Sequence, residues 1–234
     1  SGHKMYAPFG CGVLIGPKEF FQTGAPDYCG GGTVRSVTKD SVIWAPPPER
    51  DEAGSPNVVG AVAMGIAAAV LSKTGMRQVA LHEQRLLEKL LAGLRRIPNL
   101  TLYGSAFAGP NRLGVVAFNI QGLHHLSAAR ALAGEAGISV RNGCFCAHPY
   151  VHRLLDLSPE EIAHYSKLAG QGNLAVVPGM VRISIGLYNN ENDIEKAIAA
   201  IAELAQNPRH YAQKYRDTAA FNEQITDPRR FFKV

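Results

Sequence analysis

Four short stretches of this chain carry residue types that do chemistry. The first, Ser1-Gly2-His3-Lys4, runs straight into the glycine-punctuated apolar segment MYAPFGCGVLIG. Lysine becomes a nucleophile when desolvation or a nearby cation lowers its pKa, and Lys4 precedes an apolar run where partial burial is expected. Ser1 and His3 can donate to a phosphate, beside glycines that let backbone approach closely. The plain alternative is a solvated lysine in a chance string. The second stretch is SVRNGCFCAHPY, residues 139–150. Arg141 can grip a carboxylate with two hydrogen bonds, and Cys146 falls on an expected loop, where a thiol is reachable and nearby cations tune it. Two rival readings are a metal site made of Cys144, Cys146 and His148, for which no fourth ligand is evident, and a pair of buried apolar cysteines. In the third, GMVRISIGLYN (179–189), Arg182 stands among apolar neighbours. An arginine there is costly to bury unpaired, so it meets either an anionic ligand or an internal acid. In the fourth, EAGSPN (52–57), Ser55 at a helix start either meets an anion or simply caps the helix.

These residues need elements to position them. The apolar run at 10–16 reads as a buried strand, and VRSVT and SVIWA as a hairpin. Ser55-Pro56 predicts a helix over 56–73 with Ser55 as its cap, buried because of its apolar run at 58–71. A second helix follows over 76–97, with Leu81, Leu86, Leu87, Leu90, Leu91 and Leu94 on one stripe. Beyond a boundary near Pro98 the pattern changes. TLYG, LGVVAFNI, ISVRNG and RISIGLYN read as strands, LSAARALAGEAG as a helix ending at Gly137, and ENDIEKAIAAIAELAQN as an amphipathic helix. Between the cysteine loop and Arg182, residues 152–179 read as an insertion with a helix capped by Ser158. Strands and helices thus interleave in an α+β manner over 99–207, while the polar, aromatic residues 208–234 read as a surface extension.

The bulk numbers narrow the class. The chain has 234 residues and a net charge of +5, with a pI near 9.1. That charge is spread without an aromatic-interleaved basic motif, so no nucleic-acid partner is implied. The longest apolar run is too short for a membrane span. Cys11, Cys29, Cys144 and Cys146 are too few for a disulfide scaffold and read as reduced thiols of a cytoplasmic enzyme.

The motifs SGHKMYAPFGCGVL, GGG (30–32), EAGSPN, RNGCFCAHP and VRISIGLYN, in this order over residues 1–205, resemble those of the class V aminotransferase family. That family belongs to the fold-type I enzymes that use pyridoxal 5′-phosphate, and the resemblance is nearest to the cysteine desulfurase and selenocysteine lyase branch. It implies an α/β fold: residues 1–98 as the end of a large α/β/α cofactor-binding domain, 99–207 as a small α+β domain and 208–234 as an extension. It implies Lys4 as the Schiff-base lysine and Ser1 and His3 on the cofactor phosphate. Ser55 would reach the phosphate of the neighbouring subunit's cofactor in a homodimer with shared active sites. Arg182 would hold the carboxylate of a small amino-acid substrate, Arg141 would lie near it, and Cys146 would accept sulfur or selenium and pass it to an acceptor protein. No metal is implied.

The sequence also departs from the family pattern. The family's aspartate at the pyridine nitrogen and its ring-stacking residue would precede Lys4, so the chain reads as the carboxyl-terminal part of such an enzyme, inactive by itself. Cys144 and Phe145 stand where desulfurases often carry histidines. The molybdenum cofactor sulfurases resemble the chain more closely there, which leaves open which thiol reacts. Two alternatives remain: an aminotransferase, epimerase or other lyase without sulfur transfer, and a non-catalytic dimerising relative.

Overall fold

A computed structural model of the chain describes residues 1–104, 112–172 and 176–215. They fall into two compact units, one of residues Ser1–Met76 and one that begins at Arg77.

The first unit has little interior. It opens with a 3-10 turn at Gly2–Met5, then α1 (Lys18–Gln22), the antiparallel hairpin of β1 (Val34–Val37) and β2 (Val42–Trp44), a second 3-10 turn at Glu49–Asp51, and α2 (Val58–Thr74). The hairpin is the expected one. The strand expected at 10–16 is absent: Val13, Leu14 and Ile15 are exposed and lie in no strand. One backbone bond, Gly2 N–H to the Cys11 carbonyl at 2.7 Å, ties this segment down, too little to make a ladder. Buried Arg50 does the organising that apolar packing does elsewhere. It donates to the carbonyls of Gly24 and Thr23 and lies 3.8 Å from Asp51. The α2 helix forms as expected but is not buried within this chain. Val58, Val59, Val62, Ile66 and Val70 are all exposed, and only Gly60 is buried. An all-round apolar helix needs something to pack against; among the described residues the Gly2–Met5 turn and the segment at Cys11 lie against it, near Gly60 and Met64.

The second unit holds the core. Its four-stranded sheet, all antiparallel, has the order β3 (Leu100–Tyr103), β4 (Val115–Ile120), β6 (Met180–Ser184), β5 (Arg141–Gly143). Strand alternation turns Val116, Phe118, Ile120, Val181 and Ile183 to one face, where they are buried with leucines of α3 (Met76–Leu94) and with α4 (His125–Ala136) and α7 (Glu191–Gln206). Five of the six predicted α3 leucines are buried; Leu81 is exposed. Because that stripe packs into this core, the units divide at Met76, whereas the sequence pattern suggested a change near Pro98. The α4 helix stops at Gly137, whose φ of 65° is the left-handed cap the sequence predicts. Asn190 and Asp193 form a capping box on α7, as do Ser158 and Glu161 on α6 (Pro159–Gly170). The strands at 138–143 and 182–189 are shorter than expected, ending where pairing partners run out.

Residues 208–215 are no loose surface extension. Helix α8 (Pro208–Lys214) begins at a proline, and Tyr211 and Tyr215 are buried in the core. The Tyr215 hydroxyl donates to Glu135 at 2.6 Å, and Lys214 pairs with the same carboxylate. Residues 216–234, the rest of that expected extension, lie outside the described residues. Among the described residues no single helix is long and apolar enough to cross a membrane.

Candidate functional site

The alternation that sends Val181 and Ile183 into the core sends Met180 and Arg182 to the opposite face of the sheet. Register places Arg141 on β5 directly across from Arg182 on β6. Like charges facing each other across a ladder destabilise it. Yet among the described residues neither arginine forms an ion pair, and the Arg182 Nε is buried with no hydrogen-bond partner. The expectation of an internal acid for Arg182 is therefore not met, and the pair is a cradle with an anion's worth of unanswered charge. One wall of the cradle is Phe145, whose ring centroid lies 5.0 Å from the Arg182 guanidinium carbon, within cation–π range.

Phe145 belongs to the thiol loop. After Gly143 (φ 95°), residues Phe145 and Cys146 both take left-handed backbone, with φ of 54° and 60°. The Ala147 N–H closes the turn on the Cys144 carbonyl at 2.8 Å. Left-handed conformation at both central residues is that of a type I′ turn, normally left to Gly and Asn. Held here by Phe and Cys, it costs about 1–2 kcal/mol per residue. The turn separates the two thiols. Cys144 is buried, its Sγ donates weakly to the Pro178 carbonyl at 3.6 Å, and burial pushes its pKa up. Cys146 is exposed at the tip. Of the two, Cys146 is the thiol a substrate can reach.

Behind the loop stands a pair of histidines that the sequence reading did not single out. Both His124 and His125 point Nε2 at the Val177 carbonyl, at 3.1 and 2.9 Å, and His125 Nδ1 meets the Asn142 side chain at 3.2 Å. Burial lowers the pKa of each. They join the start of α4 to the middle of β5 and so fix the strand that carries Arg141. Gly179 lets these parts close up: a Cβ there would stand 2.7 Å from the Gly143 Cα and 2.8 Å from His125 Nε2.

In the first unit, Ser1, His3 and Lys4 lie on or beside the 3-10 turn, all exposed. The partial burial expected for Lys4 is not found within this chain. Gly2 makes the turn possible, since a Cβ there would sit 2.8 Å from the Cys11 carbonyl oxygen. Ser55 is not the cap of α2. The helix starts two residues later than predicted, and Asn57 caps it, accepting from Gly60 N–H at 3.0 Å and donating to the Phe9 carbonyl at 2.6 Å. Ser55 is exposed and caps nothing. The structure thus groups Arg141, Cys146 and Arg182 in the second unit, and Ser1, His3, Lys4 and Ser55 in the first.

The class V aminotransferase family model matches residues 1–197. The chain belongs to that family. It is 35% identical over 205 residues to a cysteine desulfurase of Klebsiella pneumoniae, an alignment that covers 87% of this chain and 44% of the relative. A cysteine desulfurase of Shigella flexneri matches at 33% with the same coverage. Among solved structures, the cysteine desulfurase CsdA of Escherichia coli superposes with a TM-score of 0.70 at 28% identity, covering 88% of this chain and 45% of that one. The apo cysteine desulfurase of Thermococcus onnurineus NA1 gives 0.69 at 31%, covering 88% and 46%. The chain therefore spans a little under half the length of these relatives. The α/β fold-type I class expected from the motifs is borne out by these neighbours.

Proposed function

We propose that this chain serves a pyridoxal 5′-phosphate-dependent cysteine desulfurase or selenocysteine lyase-like reaction on a small amino acid. The observation that carries the reading is the exposed Cys146 on a left-handed turn, whose neighbour Phe145 packs on one of two facing arginines that have no acid partner among the described residues. The donor set suits the cofactor. Among the described residues Ser1, His3 and Lys4 stand together with no intramolecular side-chain hydrogen bond, offering an amine beside phosphate donors. When bound, the cofactor supplies an electron sink for charge developing at the substrate Cα. Lys4 would hold it covalently and, once released, carry the Cα proton. Ser1 and His3 would hold its phosphate, and Ser55 that of a neighbouring subunit. Arg182 orients the substrate carboxylate with Arg141 beside it. The Cys146 thiolate attacks the substrate sulfur. A sulfur–sulfur bond forms, the substrate carbon–sulfur bond breaks with its electron pair left on Cβ, and protonation there gives alanine. The persulfide at an exposed turn is placed for collection by an acceptor protein. The apolar exposed face of α2 supports a homodimer, and four free cysteines suit a reducing, cytoplasmic setting.

The test is turnover of L-cysteine by the native-length protein with cofactor. Cys146→Ala should cut sulfide and alanine release at least 100-fold while the cofactor absorbance persists, and Cys144→Ala should retain most of it. Undiminished release from Cys146→Ala would overturn the sulfur-acceptor role and leave an aminotransferase, epimerase or other lyase.

A further inference from the structure

The H-x-x-x-H spacing of His148 and His152 escaped the sequence reading, which considered only Cys144, Cys146 and His148 as ligands. Helix α5 (His148–Leu154) starts immediately after the thiol loop, so residues four apart lie on one face, one turn apart. That face turns toward Cys144. A thiol sulfur of Cys144 and one ring nitrogen each of His148 and His152 all lie within 4.8 Å of one another. The two imidazoles meet edge to face, with ring centroids 5.8 Å apart. Cys146, with its side chain at the turn tip, is not a member of this set.

From this geometry we propose that Cys144, His148 and His152 form a binding site for a thiolate- and imidazole-preferring divalent metal of the zinc class. A Cys and two His are the borderline-soft donors such ions take, and tetrahedral coordination at about 2.0–2.3 Å puts neighbouring donors about 3.3–3.7 Å apart. The donors need close by only about 1 Å or so, and exposed His148 is free to swing. Metal binding takes the proton from the Cys144 thiol and releases it to solvent, replacing a weak 3.6 Å hydrogen bond with a metal–sulfur bond. Cys144 lies ahead of the left-handed turn and the two histidines lie beyond it, so the ion ties together both ends of that turn. Three protein ligands leave one position for water, as in open zinc sites.

The site is tested on the full 234-residue chain freed of metal by a chelator. Titration with Co²⁺ should give the intense visible bands of tetrahedral cobalt, at longer wavelength than pyridoxal absorption, at one ion per chain and bleached by Zn²⁺. Cys144→Ser and His152→Ala should each weaken Zn²⁺ affinity at least tenfold, while Cys146→Ala leaves both affinity and spectrum unchanged. His148→Ala, at an exposed position, should weaken binding similarly. Absence of tetrahedral bands, or Zn²⁺ affinity unmoved by His148→Ala and His152→Ala in folded variants, would overturn the proposal.

Discussion

Cys146 holds a backbone conformation that an L side chain adopts at a cost. With φ at 60° next to Phe145 at 54°, replacement by glycine removes a left-handed penalty of about 1–2 kcal/mol, offset in part by the greater chain entropy of glycine when unfolded. We expect Cys146→Gly to raise stability by about 0.5–1 kcal/mol in denaturant titrations while abolishing sulfur transfer. A neutral or destabilising result would mean the turn is not strained by its side chains. The converse holds at Gly179, where an added Cβ meets backbone at 2.7 Å. Gly179→Ala should cost about 1–3 kcal/mol, read by the same titration, because Gly143 cannot retreat without moving β5. These two sites show what the sequence could and could not disclose at this scale. Residue types and order singled out Lys4, Arg141, Cys146 and Arg182 as candidates. The facing of Arg141 and Arg182 was not legible, since strand register depends on residues far apart in the chain. Nor was the contrast between the two thiols, which rests on one tight turn.

At the scale of elements, long periodic segments were readable and short ones were not. Helices α3, α4 and α7 announce themselves by stripes, caps and Gly137, whereas residues 10–16 look like a strand yet find no ladder partner. Helix α8 carries no clear period, and its order comes from docking. Gly134 leaves room for Tyr215, whose hydroxyl would stand 2.7 Å from a Cβ there. Tyr215→Ala should therefore cost about 3–5 kcal/mol, as other large buried aromatics do, and Tyr215→Phe, which removes the hydroxyl and its bond to Glu135, about 1 kcal/mol. A surface role would make both negligible in thermal unfolding. The start of α4 has its own pH signature. Burial lowers the pKa of His124 and His125 below their usual 6.5, so in acid the unfolded chain binds protons that the folded one resists. Their contribution to stability is complete above about pH 6.5 and is lost as the pH falls through the depressed folded values. The melting temperature should drop over that acid range, and His125→Gln should flatten the slope; an unchanged slope would mean that these rings titrate normally.

For the whole molecule, the question is where its stability resides. All residues of the main buried cluster, from Leu86 to Tyr215, lie in the second unit. The first unit buries little beyond Gly2, Ala7, Pro26, Thr33, Ala45, Arg50 and Gly60, and it leaves the apolar side chains of Val13, Leu14, Ile15, Val58, Val62, Ile66 and Val70 in solvent. Buried apolar area, at about 25 cal/mol per Å², is the main favourable term in folding, and ordering a residue's backbone costs about 1–2 kcal/mol. By that measure the second unit can fold on its own contacts, and the first cannot sustain its ordered segments without a covering surface. Hydrogen exchange on the 234-residue chain should therefore separate the two. Amides of β4, β6 and α7 should exchange only through cooperative opening, at the free energy of global unfolding. Amides of the hairpin and of the turn bearing Lys4 should exchange orders of magnitude faster. If the chain self-associates through α2, protection in α2 and in the Gly2–Met5 turn should rise with protein concentration, whereas β4 and β6 should not change. Equal protection in both units at low concentration would show that the first unit is stable by itself. The proposed cofactor-binding residues Ser1, His3 and Lys4 would then be preformed rather than organised by association.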